Sequence, residues 1–244
     1  MQSMISSTRA IVLHALKYGD SQLIVDLLSE NRGRLSFIMR IPKTQKAKVR
    51  KQIFQPLSVV EISYDHRPTA KLQHLRDARL AYPPASIPFN PDKLAIALFI
   101  AEFLSYATRD EQENTPLFQY VENSIRWLDN AETSFANFHL VFTMRLAKFI
   151  GFLPNLDNYE EGFYFDLLNG CFTPEAPAHS NFIPPAEASH IGKLMRMNYE
   201  SMHLFRMSRS ERNQCIDQII TFYRLHVPGF KEMKSLSVLR ELGN

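Results

Sequence analysis

Arg40–Lys51 reads R-I-P-K-T-Q-K-A-K-V-R-K. Six of these twelve residues are basic (Arg40, Lys43, Lys46, Lys48, Arg50 and Lys51) and none is acidic. Pro42 and the helix-indifferent pair Thr44-Gln45 argue for a loop. Strand-like segments lie on both sides. Arg34–Arg40 sets Leu35, Phe37 and Met39 against Ser36 and Ile38, and Phe54–Tyr64 is apolar, with Pro56 near its start where a missing N–H does least harm. A charge run by itself is ordinarily solvated surface. A cationic loop between two strands of a small sheet, however, has the shape of a grip on a phosphate backbone.

Three more strands complete the module. Thr8–Leu16 is the first, ended by the turn Lys17-Tyr18-Gly19-Asp20-Ser21. Gln22–Ser29 is the second, ended by Glu30-Asn31-Arg32-Gly33, where the glycine is free to take positive φ. Asp65–Ala70 turns into a fifth strand, Lys71–Tyr82. Five strands with no helix-period stretch between them suit a small closed barrel. The OB-fold is the five-stranded barrel that binds single strands.

Beyond residue 82 the period changes. Pro83–Pro91 holds four prolines and reads as a domain junction. Asn90-Pro91 supplies an N-cap and a first-turn proline for a helix over Asp92–Thr108, and Thr115-Pro116 repeats the signal for Leu117–Leu128. Ser134 opens a third helix, on which Phe135, Phe138, Phe142, Leu146 and Phe149 recur three or four apart until Gly151 and Pro154 stop it. Residues 155–187 are irregular, with Phe163–Leu168 expected as a strand of a hairpin closed at Asn169-Gly170. Helical patterns return over Ala186–Tyr199, over Ser210–Leu225 behind a capping-box signature at Ser208–Glu211, and over Lys231–Leu242. The expected fold is α+β: a five-stranded OB-fold barrel over 1–82, a mainly helical domain over 83–154 and 188–244, and an irregular insertion over 155–187.

Charge divides the same way. Residues 1–80 hold 14 Lys+Arg against 6 Asp+Glu, a balance of +8, whereas residues 81–244 hold 14 against 19, a balance of −5. A basic module joined to an acidic one implies different partners, and the basic one suits a polyanion. Only two cysteines occur, Cys171 and Cys215, outside any C-x-x-C spacing, which excludes a disulfide framework and argues against a zinc site. The N-terminus lacks a secretory pattern and no run reaches 18 apolar residues. The expected compartment is therefore the cytoplasm, with no membrane and no small-molecule substrate.

Motifs for chemistry are lacking. Eight scattered glycines form neither a P-loop nor a dinucleotide fingerprint, and no G-x-S-x-G or H-E-x-x-H is present. The eight histidines lack metal-ligand spacing, His139 sits on an apolar helix, and Cys215 falls on an apolar face. The chain is read as non-enzymatic. Arg9, Lys17 and Arg34 join Arg40, Lys43, Lys46, Lys48, Arg50 and Lys51 as the residues expected to meet DNA. Tyr18, Phe37, Phe54 and Tyr64 supply either stacking faces for bases or the barrel interior. Alternatives are an RNA-binding OB protein, a helical scaffold with an incidental basic loop, and an unrecognised hydrolase.

The order of motifs resembles the bacterial RecO recombination-mediator family over nearly the whole chain. Thr8–Leu13 followed by Lys17–Ser21 is similar to its opening strand and K-Y-x-D/E-S turn. Glu30–Arg34 resembles its T-E-x-x-G-K/R turn, Gln55-Pro56-Leu57 its Q-P-L/F, and Leu75-Arg76-Asp77-Ala78 its L-R-E/D-A. Phe149–Asp157 resembles its L-G-F/Y-x-P-x-L-D, and Leu225-His226 with Lys234-Ser235 its closing segment. The resemblance implies an OB-fold that binds single- and double-stranded DNA and anneals complementary strands. It also implies action with RecR in loading RecA onto DNA coated by the single-strand-binding protein SSB, at the nucleoid. The helical domain would take SSB's acidic, apolar-ended tail in an apolar groove, and Arg145 and Lys148 are placed at its rim from helix position. Many members hold a structural zinc with two C-x-x-C pairs after the L-D motif. Here Asn158-Tyr159-Glu160-Glu161 follows and one cysteine remains, so the insertion is a degenerate zinc-finger-like segment expected to hold no zinc and no other cofactor.

Overall fold

The computed structural model of the chain describes residues 4–40 and 51–241, with the backbone alone at Met4 and Lys51. The chain divides into two compact units, Met1–Asn130 and Ala131–Asn244.

The first unit is built on a closed barrel. Its strands are β1 (Met4–Tyr18), β2 (Gln22–Ser29), β3 (Gly33–Arg40), β4 (Val59–His66) and β5 (Gln73–Tyr82), hydrogen-bonded in the order β1-β2-β3-β5-β4. Every neighbouring pair is antiparallel except β3 and β5, which meet in parallel at Phe37–Gln73 and Ile38–His74. Closure leaves no free sheet edge. The period-2 pattern sends Leu23, Val25 and Leu27 inward from β2, and Phe37 and Met39 from β3. Phe37 and Tyr64 meet edge to face at 5.1 Å in the interior. Each such side chain contributes roughly 1.5–3 kcal/mol by leaving water. β4 begins at Val59, five residues later than the sequence pattern suggests, because Lys51–Ile53 is a short 3-10 turn and residues 54–58 are not strand.

Two helices belong to this same unit. α1 (Pro91–Ala107) starts where expected, with the Asn90 side chain accepting from the Asp92 and Lys93 N–H groups. α2 (Thr115–Asn130) is capped one residue earlier than expected, by Asn114 Oδ1 accepting from Leu117 N–H at 3.0 Å. The proline-rich stretch 83–91 thus lies within a compact unit, and the reason is Asp129 at the end of α2. Its carboxylate accepts from the backbone N–H groups of Ala85, Ser86 and Ile87 at 2.7, 2.8 and 2.9 Å, and from the Tyr82 hydroxyl at 2.8 Å. Burial pushes this carboxyl up, but those donors outweigh it and hold it below the usual carboxylate range. The charged form is favoured by folding, so its contribution is present above the unfolded pKa and is lost as pH falls through the lower folded value. Asp129→Asn is expected to cost on the order of 3 kcal/mol at neutral pH and to flatten the acid limb below about pH 4, measured by denaturant unfolding at several pH values.

The second unit packs α3 (Phe138–Phe149), α4 (Pro185–Arg196) and α5 (Arg209–His226) with a short α6 (Leu236–Arg240). α3 begins at Phe138, not Ser134, which takes positive φ of 64°. Asn137 precedes it and spends its side-chain amide on the Met202 and Phe205 carbonyls. The capping box at Ser208 and Glu211 is formed, each side chain bonding the other's backbone N–H. α6 is shorter than the pattern over Lys231–Leu242 suggests. Burial holds His139 neutral, with its pKa down to about 3, and pushes the Cys215 thiol up to about 12.

Residues 155–187 form a three-stranded sheet, β7-β6-β8, from β6 (Tyr164–Asp166), β7 (Cys171–Thr173) and β8 (Phe182–Ile183). The sequence pattern anticipates the hairpin but not β8. Rings hold the sheet together: Phe165 and Tyr159 both meet Phe172, at 5.1 and 4.8 Å, and Tyr164 meets Phe182 at 5.5 Å. Asp166 accepts from the Leu168 and Asn169 N–H groups and from the Asn169 amide, and it lies beside the His179 ring. His179 Nδ1 accepts from Asn181 N–H, so the neutral ring carries its proton on Nε2, facing Asp166 at 3.3 Å. The donor set does not fit a tetrahedral zinc. Cys171 is the sole thiol in the segment and the Asp166 oxygens are already engaged. Among the described residues no group of three or more His, Cys, Asp or Glu side chains is placed to hold a metal ion.

Candidate nucleic-acid interface

Strand register brings several of the sequence-selected residues to one end of the barrel. Tyr18 on β1 pairs with Gln22 on β2, and Gln22 pairs in turn with Arg40 on β3. Lys17 stands one residue back along β1. Lys17, Tyr18 and Arg40 are exposed, Tyr18 at 56%. The chain leaves β3 from this end into Ile41–Arg50, so Lys43, Lys46, Lys48 and Arg50 lie outside the described residues, as does the Lys51 side chain. Of the four aromatic residues, Phe37, Phe54 and Tyr64 are barrel interior, and Tyr18 alone presents a face to solvent.

Two other selected cations are engaged inside the unit. Arg9 bridges two carboxylates, Glu30 at 2.6 Å and Glu122 at 2.9 Å. The hydrogen bond from Arg9 holds the Glu30 carboxyl below its ordinary range. Arg34 is largely buried, 3.3 Å from Asp26, and donates to Ser105 Oγ at 3.2 Å. Neither guanidinium is presented at the barrel end with Lys17 and Arg40. Arg76 and Arg79 are exposed but face Asp65 and Glu61, at 2.8 and 2.6 Å. The +8 of the first third therefore overstates the positive charge that the barrel wall offers a polyanion.

On α3, Arg145 and Lys148 are both exposed, and Arg145 donates to the Met197 carbonyl at 3.3 Å. One apolar pocket in the same unit has a volume of about 30 Å³ and is lined in part by Met144, Ala147, Ile191 and Phe222. It has room for a water-sized guest and not for an apolar side chain. A larger groove lies in the first unit, where the sequence reading placed none. It has a volume of about 370 Å³ and is walled by Gln52, Gln55, Leu57, Leu80, Tyr82 and Leu94, among others. The signal available in the sequence is Gln55-Pro56-Leu57.

A closed five-stranded barrel with a basic segment leaving β3, followed by helices, is the arrangement the motif order implies for RecO proteins. Family models match both parts: Recombination protein O N terminal over residues 1–84 and Recombination protein O C terminal over residues 88–236. The chain belongs to the RecO family. Relatives extend along its whole length. It is 50% identical over 239 residues to a DNA repair protein RecO of Phocaeicola vulgatus, covering 98% of this chain and 99% of the relative. It is 52% identical over 240 residues to that of Bacteroides fragilis, with the same coverage, and 35% identical over 245 residues to that of Porphyromonas gingivalis. As a RecO-family chain it is a DNA repair protein with an OB-like barrel, and recombination and DNA binding are the family's business. No helix among the described residues is long and apolar enough to cross a membrane.

Proposed function

We propose that the chain is a DNA-binding recombination mediator. Its barrel holds single- and double-stranded DNA by the backbone through Lys17, Arg40, Lys43, Lys46, Lys48, Arg50 and Lys51. The observation that carries this is the placement of exposed Lys17 and Tyr18 on β1 and Arg40 on β3, either side of Gln22 on β2, at the end where the polybasic stretch begins. Cations on a loop meet phosphates and not base edges, so binding is largely indifferent to sequence. Arg9 and Arg34, held by Glu30, Glu122 and Asp26, serve this reading as struts of the barrel and not as phosphate ligands.

Annealing follows without covalent chemistry, because neutralised phosphates let two strands approach. The reading needs no catalytic group. It includes RecR as a partner in loading RecA onto SSB-coated strands at the nucleoid. It also includes the SSB tail, received by the second unit with Arg145 and Lys148 at the rim, a role supported by their exposure on α3. The insertion holds its hairpin by rings and Asp166 without zinc, and elemental analysis is expected to find no tightly bound zinc per chain. The deciding test is a salt titration of single-stranded DNA binding. Contact with four to six phosphates of a single strand gives a slope of log affinity against log salt of roughly −3 to −4, and a slope near zero removes the electrostatic grip.

A further inference from the structure

The groove of the first unit has no part in the phosphate grip, yet its wall is built against local preference. Leu57 takes φ of 61°, a left-handed conformation that costs a leucine about 1–2 kcal/mol. It is held there by Leu57 N–H donating to the Val12 carbonyl at 2.8 Å and Val12 N–H donating to the Ser58 carbonyl at 2.9 Å. The ladders shift register beside it, at Val12/His14 in β1 and at Val59/Val60 in β4. Bulges of this kind gather next to working sites. The result is a slot whose lips, Leu80 and Leu94, remain 38% and 40% exposed.

The lining selects the class of guest. None of the described residues that line the slot is charged. Its polar edge comes from the exposed amides of Gln52 and Gln55, each both donor and acceptor. An acidic peptide would need cations in the walls. A nucleobase needs apolar faces and an edge that both gives and accepts hydrogen bonds, which is what this lining offers. Gln52 directly follows Lys51, the last residue of the polybasic stretch, so in the sequence the slot adjoins the phosphate grip. Resting on the DNA-binding reading above, we infer that the slot takes an unstacked base of single-stranded DNA. Bases in a duplex stay stacked and paired, so the slot favours single strands without reading their sequence.

The test uses the full chain and matched single-stranded and duplex oligonucleotides, the former carrying 2-aminopurine. The double variant Gln52→Ala/Gln55→Ala changes exposed side chains only, and Leu80→Asp/Leu94→Asp charges the lips. Thermal unfolding checks that each is folded. Each is expected to lose about tenfold in single-strand affinity, with duplex affinity and the salt slope unchanged. The 2-aminopurine fluorescence rise on binding, expected for the unaltered chain, should disappear. Equal losses on both DNA forms, or no loss at all in the folded glutamine variant, overturn the base slot and leave the phosphate grip standing. Loss of binding to a synthetic acidic peptide with an apolar end, with DNA affinity intact, reassigns the slot to a protein partner. A flat salt dependence in the unaltered chain removes the grip itself, and the slot with it.

Discussion

Replacing Lys43, Lys46, Lys48 and Lys51 together with glutamate is expected to lower single-stranded DNA affinity by several hundredfold at about 0.1 M salt. The size follows from counterion release. Each phosphate contact on a single strand carries about 0.7 of a released ion, so four lost contacts remove roughly three powers of ten at that concentration. The same change should flatten the salt slope by about 3, which separates it from a variant that merely misfolds. Stability should be unaffected, because the β3 ladder ends at Arg40, the β4 ladder begins at Val59, and Lys51 opens only a 3-10 turn. Annealing of complementary strands should fall in parallel. An affinity that holds within a factor of two, in folded protein, would place the DNA elsewhere.

The second large effect is expected at Gly33, where one methyl group should be enough to unseat the barrel. Gly33 has φ of 64°, and a Cβ there would lie 2.2 Å from the carbonyl oxygens of both Glu111 and Gln112. Those atoms are backbone and cannot swing away. The adjoining Arg34 N–H donates to the Glu111 carbonyl at 3.0 Å, so the turn between β2 and β3 is pressed against the connection from α1 to α2. Gly33→Ala combines backbone strain with a steric clash, and roughly 3 kcal/mol or more is expected. Denaturant unfolding measures it. A change below 1 kcal/mol would mean that residues 111–112 are free to withdraw. Gly19 is the control, since its φ of 60° carries the same strain but a Cβ there meets nothing within 4 Å.

What could be read from the sequence is what local physics writes into it. Alternation placed β2 correctly to the residue, Asn90-Pro91 marked the start of α1, and Ser208–Glu211 formed the capping box, because each depends on neighbours within a turn or a strand. Long-range pairing was not readable in the same way. Arg9 and Arg34 look like free charge in the sequence, and only strand pairing, with the packing of α2 on the barrel, sets them against Glu30, Glu122 and Asp26. Gly33 read as a hairpin glycine, whereas its tighter constraint comes from a loop almost eighty positions later in the chain. The slot is hidden in the sequence for the same reason: Leu57, Leu80 and Leu94 look like core, and only the fold leaves Leu80 and Leu94 partly in water. β8 was missed because two residues carry no period.

Burial of Cys215 has a practical side. Only thiolates couple readily to maleimides or disulfide reagents, and a thiol pushed up to about 12 inside a helix face offers almost none near neutrality. The chain's other cysteine, Cys171, is partly accessible on β7. The unaltered protein is therefore a single-handle molecule for a fluorophore or spin label in its second unit. A dye at Cys171 can report, by anisotropy or energy transfer to a marked strand, when DNA arrives, with no residue of the barrel touched.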